Sequence, residues 1–153
     1  MYMKQLFLSM SLLALMSACD SNPQNPKEPN DAAAQQNKIN ELVTDSSNWT
    51  TVQWLDSVQQ FGKVVDGEKV LISFHFKNTG TKPLVIANAS ASCGCTVPSK
   101  PEAPIAPGAE GVIQAEFNSQ GRVGKADKYI TVTCNTPQRE HILKFEGEVV
   151  ARK

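Results

Sequence analysis

Between Val70 and Lys77 the even positions Val70, Ile72, Phe74 and Phe76 are apolar, while the odd positions include Ser73, His75 and Lys77. Successive side chains of an extended backbone point to opposite faces, so this period of two predicts a strand with one buried face. The same alternation recurs along the chain. Val52 and Trp54 alternate with polar neighbours, and Leu84 to Ala91 reads as a further strand. Ile113, Ala115 and Phe117 form another apolar face. Ile130, Val132 and Cys134 lie opposite Tyr129, Thr131 and Thr133, and His141, Leu143 and Phe145 belong to a last strand running toward Val150. Asp66-Gly67 and Asn78-Thr79-Gly80-Thr81-Lys82-Pro83 are turn signals between these runs. Pro98 to Gly108 holds four prolines and predicts a long loop or edge connection. Asn118 to Lys128 predicts a glycine-containing basic loop. About seven short strands with hardly any helical period predict an all-β chain, folded as an antiparallel β-sandwich.

The N-terminal part follows different rules. Lys4 precedes an apolar run from Leu6 to Met16, which closes on Leu15-Met16-Ser17-Ala18-Cys19. A basic start, a short apolar stretch and small residues before a cysteine are the parts of a lipoprotein signal peptide. The run is too short for a membrane span, which needs about 20 apolar residues. The expectation is that residues 1–18 are removed and that Cys19 becomes the first mature residue, carrying lipid. The competing reading is an ordinary secretory signal in which Cys19 is incidental. Ser21 to Asp31 has no aliphatic residue and three prolines, too little apolar surface to offset the entropy of ordering. Residues 19–48 are therefore expected to form a flexible tether, with a weak helix over Ala32 to Val43 that gathers Ile39, Leu42 and Val43 on one side. The globular domain is placed at residues 49–153.

Charge narrows the partners. The chain has 15 basic and 15 acidic residues, and the signal segment removes only Lys4, leaving a net charge near −1. No basic stripe suggests nucleic acid or anionic headgroups. Attachment to a membrane would come from acyl chains, each buried methylene contributing about 0.8 kcal/mol. A protein held in the envelope meets an oxidising compartment, so Cys93, Cys95 and Cys134 can oxidise.

Cys93-Gly94-Cys95 is the one constellation that reads as chemistry. Two thiols flanking a glycine can converge on a soft metal ion such as copper(I), close a small disulfide with each other, or leave one sulfur to cross-link with Cys134. A structural zinc site would need a second pair of ligands, and none follows. His75 sits on the solvent parity of its strand, and His141 shares parity with Leu143 and Phe145, so neither is a natural ligand. The inward parity of Cys134 favours a packed thiol or a cross-link over surface reactivity. No Gly-x-Ser-x-Gly elbow and no distinctive carboxylate pair suggests hydrolysis, so no catalytic residue is assigned. Glycines flank Arg122 in Gly121-Arg122-Val123-Gly124-Lys125, and Arg122 with Lys125 could meet a carboxylate or phosphate on a partner, or simply keep a hairpin loop in water. Trp54, sharing parity with Val52, is expected in the core.

Several motifs then fall in a recognisable order: Phe61-Gly62-Lys63-Val64, Phe76-Lys77-Asn78-Thr79-Gly80, Ser92-Cys93-Gly94-Cys95-Thr96, Ile105-Ala106-Pro107-Gly108 and Gly121-Arg122-Val123-Gly124. Together they resemble the bacterial domain of unknown function 1573, frequent in envelope and secreted proteins of Bacteroidota, over about Val52 to Val150. The resemblance implies an immunoglobulin-like fold, related in shape to the sandwich domains of sperm and cilia-associated proteins. It implies no activity. It also marks Cys134, ahead of Asn135, as a departure, because the family usually has a small polar residue there. In that setting Asp56-Ser57-Val58 resembles an acceptor for O-linked sugar at Ser57, although an ordinary polar strand end matches equally. Asp20 after the lipid-bearing cysteine resembles an inner-membrane retention signal of some proteobacteria, a rule that does not carry over to Bacteroidota. No acidic run of the surface-export kind follows it, which favours the outer membrane facing the periplasm, with the inner membrane and the cell surface as alternatives. The functional expectation is a lipid-anchored envelope protein whose domain binds or scaffolds an envelope protein partner without catalysis. The alternative is a thiol-based metal or redox protein using Cys93 and Cys95.

Overall fold

A computed structural model describes residues 29–153. The signal segment 1–18, the lipidation position Cys19 and the first part of the tether lie outside the described residues. Helix α1 spans Pro29–Thr44 and a 3-10 turn covers Ser46–Asn48. Where the sequence suggests a tether with a weak helix, the helix runs through residues 29–44 and its end is attached to the domain. Val43 is buried, and the Trp49 indole N–H donates to the Val43 carbonyl at 3.1 Å.

Eight strands follow, one more than the alternation suggests: β1 (Val52–Trp54), β2 (Val58–Val65), β3 (Lys69–Asn78), β4 (Ile86–Ala91), β5 (Thr96–Ser99), β6 (Glu110–Asn118), β7 (Gly124–Cys134) and β8 (Glu140–Val150). They form a sandwich of two four-stranded sheets, one ordered β1-β3-β6-β5 and the other β2-β8-β7-β4. All pairs are antiparallel except β2 with β8, which is parallel.

Register brings the apolar parities together. Val70 faces Phe117, Ile72 faces Ala115 and Phe74 faces Ile113 across β3 and β6. On the opposite sheet Ile130 faces Leu143. These inward faces supply the core, in which Phe74, Phe76, Phe117, Ile130, Leu143 and Phe145 are fully buried. Phe61, Phe117 and Phe145 join the two sheets as an aromatic cluster with ring centroids 5.5 to 6.3 Å apart. Room for Phe61 depends on Gly147, where a Cβ would fall 2.4 Å from the ring and 2.6 Å from the Gly62 carbonyl oxygen. The β2–β8 register shifts at this point, between Gln60 and Gly62, and Gly62 takes φ 72°, which a glycine adopts freely.

Three stretches differ from the sequence reading. The proline-rich run from Pro98 is not wholly loop, because β5 includes Pro98. Asn118 N–H donates to the Cys95 carbonyl at 2.9 Å. That makes Thr96↔Phe117 a non-hydrogen-bonded pair, so the alternation turns the Val97 backbone toward β6 and that of Pro98 to the free edge. A proline there costs no ladder hydrogen bond. Second, the basic loop is shorter than expected: β7 begins at Gly124, so Lys125 lies on a strand. Third, the chain between Asn78 and Ile86 is held by more than a turn. Leu84 is fully buried and forms an isolated bridge with Ile105.

Two buried asparagines fix this end of the sandwich. Asn78 Nδ2 donates to the carbonyls of Lys82 (2.8 Å) and Ile105 (2.9 Å), and its Oδ1 accepts from Thr50 Oγ1 (2.9 Å) and Gly80 N (3.1 Å). Asn135 Oδ1 accepts from Val85 N (2.7 Å), and its Nδ2 donates to the carbonyls of Asn48 (2.7 Å) and Pro83 (3.0 Å). Each side chain satisfies loop backbone groups that no strand can reach.

Candidate functional site

The chain crosses from one sheet to the other between β4 and β5, and the Ser92–Thr96 corner carries the thiol motif. Ser92 N–H donates to the Tyr129 carbonyl at 2.9 Å, and its hydroxyl accepts from Tyr129 N–H at 3.1 Å, fastening the start of the corner to β7. The Cys95 carbonyl fastens its end to β6. Held at both ends, Cys93 and Cys95 come together with Cα atoms 5.3 Å apart and form a disulfide. Cys134 is not its partner. That thiol is free and fully buried at the end of β7, so the cross-link from Cys93 or Cys95 to Cys134 considered from sequence is not made.

The bridge encloses only three residues. On the loop-entropy relation such a ring adds about 1.6 kcal/mol, roughly half of what a fifteen-residue ring would add. Its two sulfurs have unequal surroundings. Cys95 is buried within the core cluster, whereas Cys93 is half-buried at its margin. Thr96 Oγ1 lies 3.6 Å from Cys93 Sγ and 3.9 Å from Cys95 Sγ. As a disulfide the pair presents no thiolate to a metal ion. Among the described residues no group of three or more His, Cys, Asp or Glu side chains converges on one point.

Cys134 belongs to a second cluster. Its sulfur lies 3.5 Å from Thr136 Oγ1, which is 2.9 Å from His141 Nε2. The Trp54 ring stands between Phe76 (5.3 Å) and His141 (5.9 Å). Trp54 Nε1 is buried without a hydrogen-bond partner among the described residues. Burial pushes the Cys134 thiol above its ordinary pKa, against a smaller opposing effect of Thr136. Burial also holds His141 below the ordinary histidine value, opposed by a backbone hydrogen bond with Gln138. A raised thiol beside a neutral imidazole is a poor nucleophile, and this cluster is closed to solvent at its sulfur.

The sequence-derived loop pair separates. Arg122 sits in the Ser119–Val123 turn, where its Nη1 donates to the Gln120 carbonyl. Lys125 projects from β7. They are both exposed, but they do not belong to one rigid loop. On the outer face of the β2-β8-β7-β4 sheet, Lys144 is held above the ordinary lysine range by hydrogen bonds to Glu146 and then Asp127, and Lys63 pairs with Glu148 at 2.9 Å. His75, on the solvent side as its parity suggests, pairs through Nδ1 with Asp56 Oδ2 at 3.0 Å, and Ser57 is exposed beside them.

One surface has no counterpart in the sequence reading. Leu71 is 64 % exposed and Val97 68 %, on the outer face of the β1-β3-β6-β5 sheet. Register places Glu116 between them, opposite both. A shallow depression of about 290 Å³ is lined by Leu71, Val97, Ser99, Gln114 and Glu116. Its signal in the sequence is weak: Leu71 interrupts the polar parity of β3, and Val97 stands next to a proline.

Comparison with known proteins agrees with this architecture. Residues 52–149 match the family model described as "Protein of unknown function (DUF1573)". No curated protein of similar sequence was found. Among solved structures, a protein of unknown function from Porphyromonas gingivalis W83 superposes with a TM-score of 0.60 at 17% identity, over 68% of this chain and 49% of that one. This chain therefore spans about half of that relative's length. The ASH/PapD-like domain 7 of human CEP192 superposes with a TM-score of 0.56 at 16% identity, over 69% of this chain and 89% of that one. The secreted serine protease VesC from Vibrio cholerae gives a TM-score of 0.50 at 10% identity, over 65% of this chain and 23% of that one. At these identities the likeness is one of fold.

Proposed function

The chain belongs to the DUF1573 family, and we propose that it is a lipid-anchored protein of the bacterial cell envelope whose immunoglobulin-like sandwich binds a partner protein without catalysis. The observation that carries the binding reading is the Leu71–Val97 pair. Two aliphatic side chains more than half exposed, flanking a depression on a regular sheet face, lose solvation free energy wherever they face water. An apolar side chain of a partner, inserted between them, would cover both. The proline at the neighbouring free edge removes a backbone donor, so the recognition works through the sheet face rather than through an added strand. Sandwich domains carry many functions on one frame, and here the face supplies the argument.

Anchoring rests on Leu15-Met16-Ser17-Ala18-Cys19. Acylation at Cys19 would place the domain beside the bilayer, with the outer membrane facing the periplasm as the favoured location. The test combines both halves. A photo-cross-linking residue at position 97, in cells expressing the full chain, should capture a protein adduct that Leu71→Asp abolishes. The same residue at position 63, on the opposite sheet, should capture none. Equal adducts at both positions, or no adduct at 97, would overturn the binding reading. Metabolic labelling with a palmitate analogue should mark the wild type and not Cys19→Ser; label on both would overturn the anchor.

A further inference from the structure

The disulfide at the β4–β5 corner adds little as a brace. Loop-closure stabilisation grows with the number of residues enclosed, and a bridge between positions two apart encloses the least. It also ties neither sheet to the other, since both sulfurs lie on one corner whose ends the Tyr129 and Asn118 hydrogen bonds already hold. The remaining domain thiol, Cys134, is buried and does not compete for either sulfur.

Gly94 points the same way. Its φ lies outside the left-handed region, and a Cβ built on it would meet no atom within 4 Å beyond its two chain neighbours. Neither backbone conformation nor crowding requires glycine at this position. Gly94 is itself exposed, so the middle of the three-residue ring carries no side chain toward solvent. Of the two cysteines Cys93 is half-buried and Cys95 buried, so Cys93 is the more accessible to an incoming thiolate. The Thr96 hydroxyl, in contact with both sulfurs, can donate to whichever becomes a thiolate.

We propose that Cys93–Cys95 is a redox-active disulfide that accepts two electrons from the dithiol of a partner protein. The partner's thiolate, having lost its proton, attacks Cys93 Sγ. The Cys93–Cys95 bond breaks and its electron pair leaves on Cys95 Sγ, where Thr96 donates a hydrogen bond until a proton is taken up. The partner's second thiol then loses its proton and attacks the partner sulfur joined to Cys93. That closes the partner's own disulfide and releases Cys93, which takes the second proton. The chain's disulfide is reduced to two thiols and the partner's dithiol is oxidised to a disulfide. Attack at the accessible sulfur with departure of the other is the ordinary course of thiol–disulfide exchange. The activity uses a different part of the molecule from the Leu71–Val97 face and stands or falls separately.

The test uses the full chain in detergent with dithiothreitol as the dithiol, reading Cys93 and Cys95 by alkylation and peptide mass spectrometry. Under native conditions the bond should open without unfolding, and Gly94→Val should slow the opening about tenfold or more while leaving the thermal midpoint in place. In variants that keep one thiol of the pair, Cys95→Ser should form a mixed disulfide at Cys93 with dithiodipyridine about tenfold faster than Cys93→Ser forms one at Cys95, as read by peptide mass spectrometry. A wild-type bond that opens only in denaturant would overturn the proposal. So would a Gly94→Val variant that opens at the wild-type rate, or equal rates for the two serine variants.

Discussion

Replacing Asn78 with alanine tests the idea that buried side-chain amides, more than strand pairing, hold the loop end of this sandwich. The substitution removes four hydrogen bonds at once: two donated to the Lys82 and Ile105 carbonyls, and two accepted from Thr50 Oγ1 and Gly80 N. Asn78 is fully buried, so the abandoned groups cannot simply turn to bulk water. At a net value of about 1 kcal/mol per bond the loss is roughly 4 kcal/mol, and the usual spread of values brackets it between about 2 and 6. Domains of this size are stable by about 5–15 kcal/mol, so the variant would lose a large share. At about 4–8 °C per kcal/mol the midpoint Tm should fall by roughly 15 °C or more. Urea unfolding followed by far-ultraviolet circular dichroism measures the change, with Asn118→Ala as the control. Asn118 Oδ1 accepts only one bond here, from Gln120 N, and its residue is half-buried. Asn78→Asp separates the two halves of the amide, because it keeps an acceptor for Thr50 but sets a carboxylate oxygen against two carbonyls. It should cost at least as much as alanine. An Asn78→Ala loss under about 1 kcal/mol, or no greater than that of the control, would refute the reasoning.

Other outcomes follow from the same contacts. Gly147→Ala puts a Cβ 2.4 Å from the Phe61 ring and 2.6 Å from the Gly62 oxygen, so unfolding experiments should register a loss of about 1–3 kcal/mol from overpacking. Phe145→Ala, at a fully buried position between Phe61 and Phe117, should cost about 3–5 kcal/mol in the same measurement. His141 has a folded pKa below the ordinary 6.5 because burial disfavours its charge. The unfolded chain therefore binds the proton first, and His141's contribution to stability should fall as pH drops through 6.5 toward the folded value. Comparing wild type with His141→Gln across that range checks it; parallel curves would contradict the burial argument. Cys134 should resist iodoacetamide in the folded protein and react once unfolded, whereas native alkylation at the rate of a free thiol would place it nearer solvent than the fold allows.

Leu71 and Val97 illustrate how a site can stay hidden in a readable fold. Each is an ordinary aliphatic residue within a β-rich run, and aliphatic residues in strands usually face inward. Only the register that sets Leu71 and Val97 on either side of Glu116 turns them into one surface. The asparagines are a similar case. Asn78 and Asn135 read as turn residues because amides favour turns, and their burial depends on carbonyls from residues 48, 82, 83 and 105 converging on them. Lys125 reads as loop in the sequence because charges surround the small inward residue Ala126, which gives little apolar signal of its own.

Alternation of side chains by itself determined the sandwich: β3, β6, β7 and β8 each turn one apolar face inward because an extended chain has a period of two. Local sequence likewise marked Cys93-Gly94-Cys95 as a pair of thiols close enough to bond. Tertiary structure alone decided the rest. It paired β2 with β8 in parallel, made an edge strand around Pro98, joined Cys93 to Cys95 rather than to Cys134, and left Leu71 and Val97 uncovered. Each of those outcomes depends on groups far apart in the chain meeting at a distance of a few ångströms, and no local period encodes which distant partner arrives.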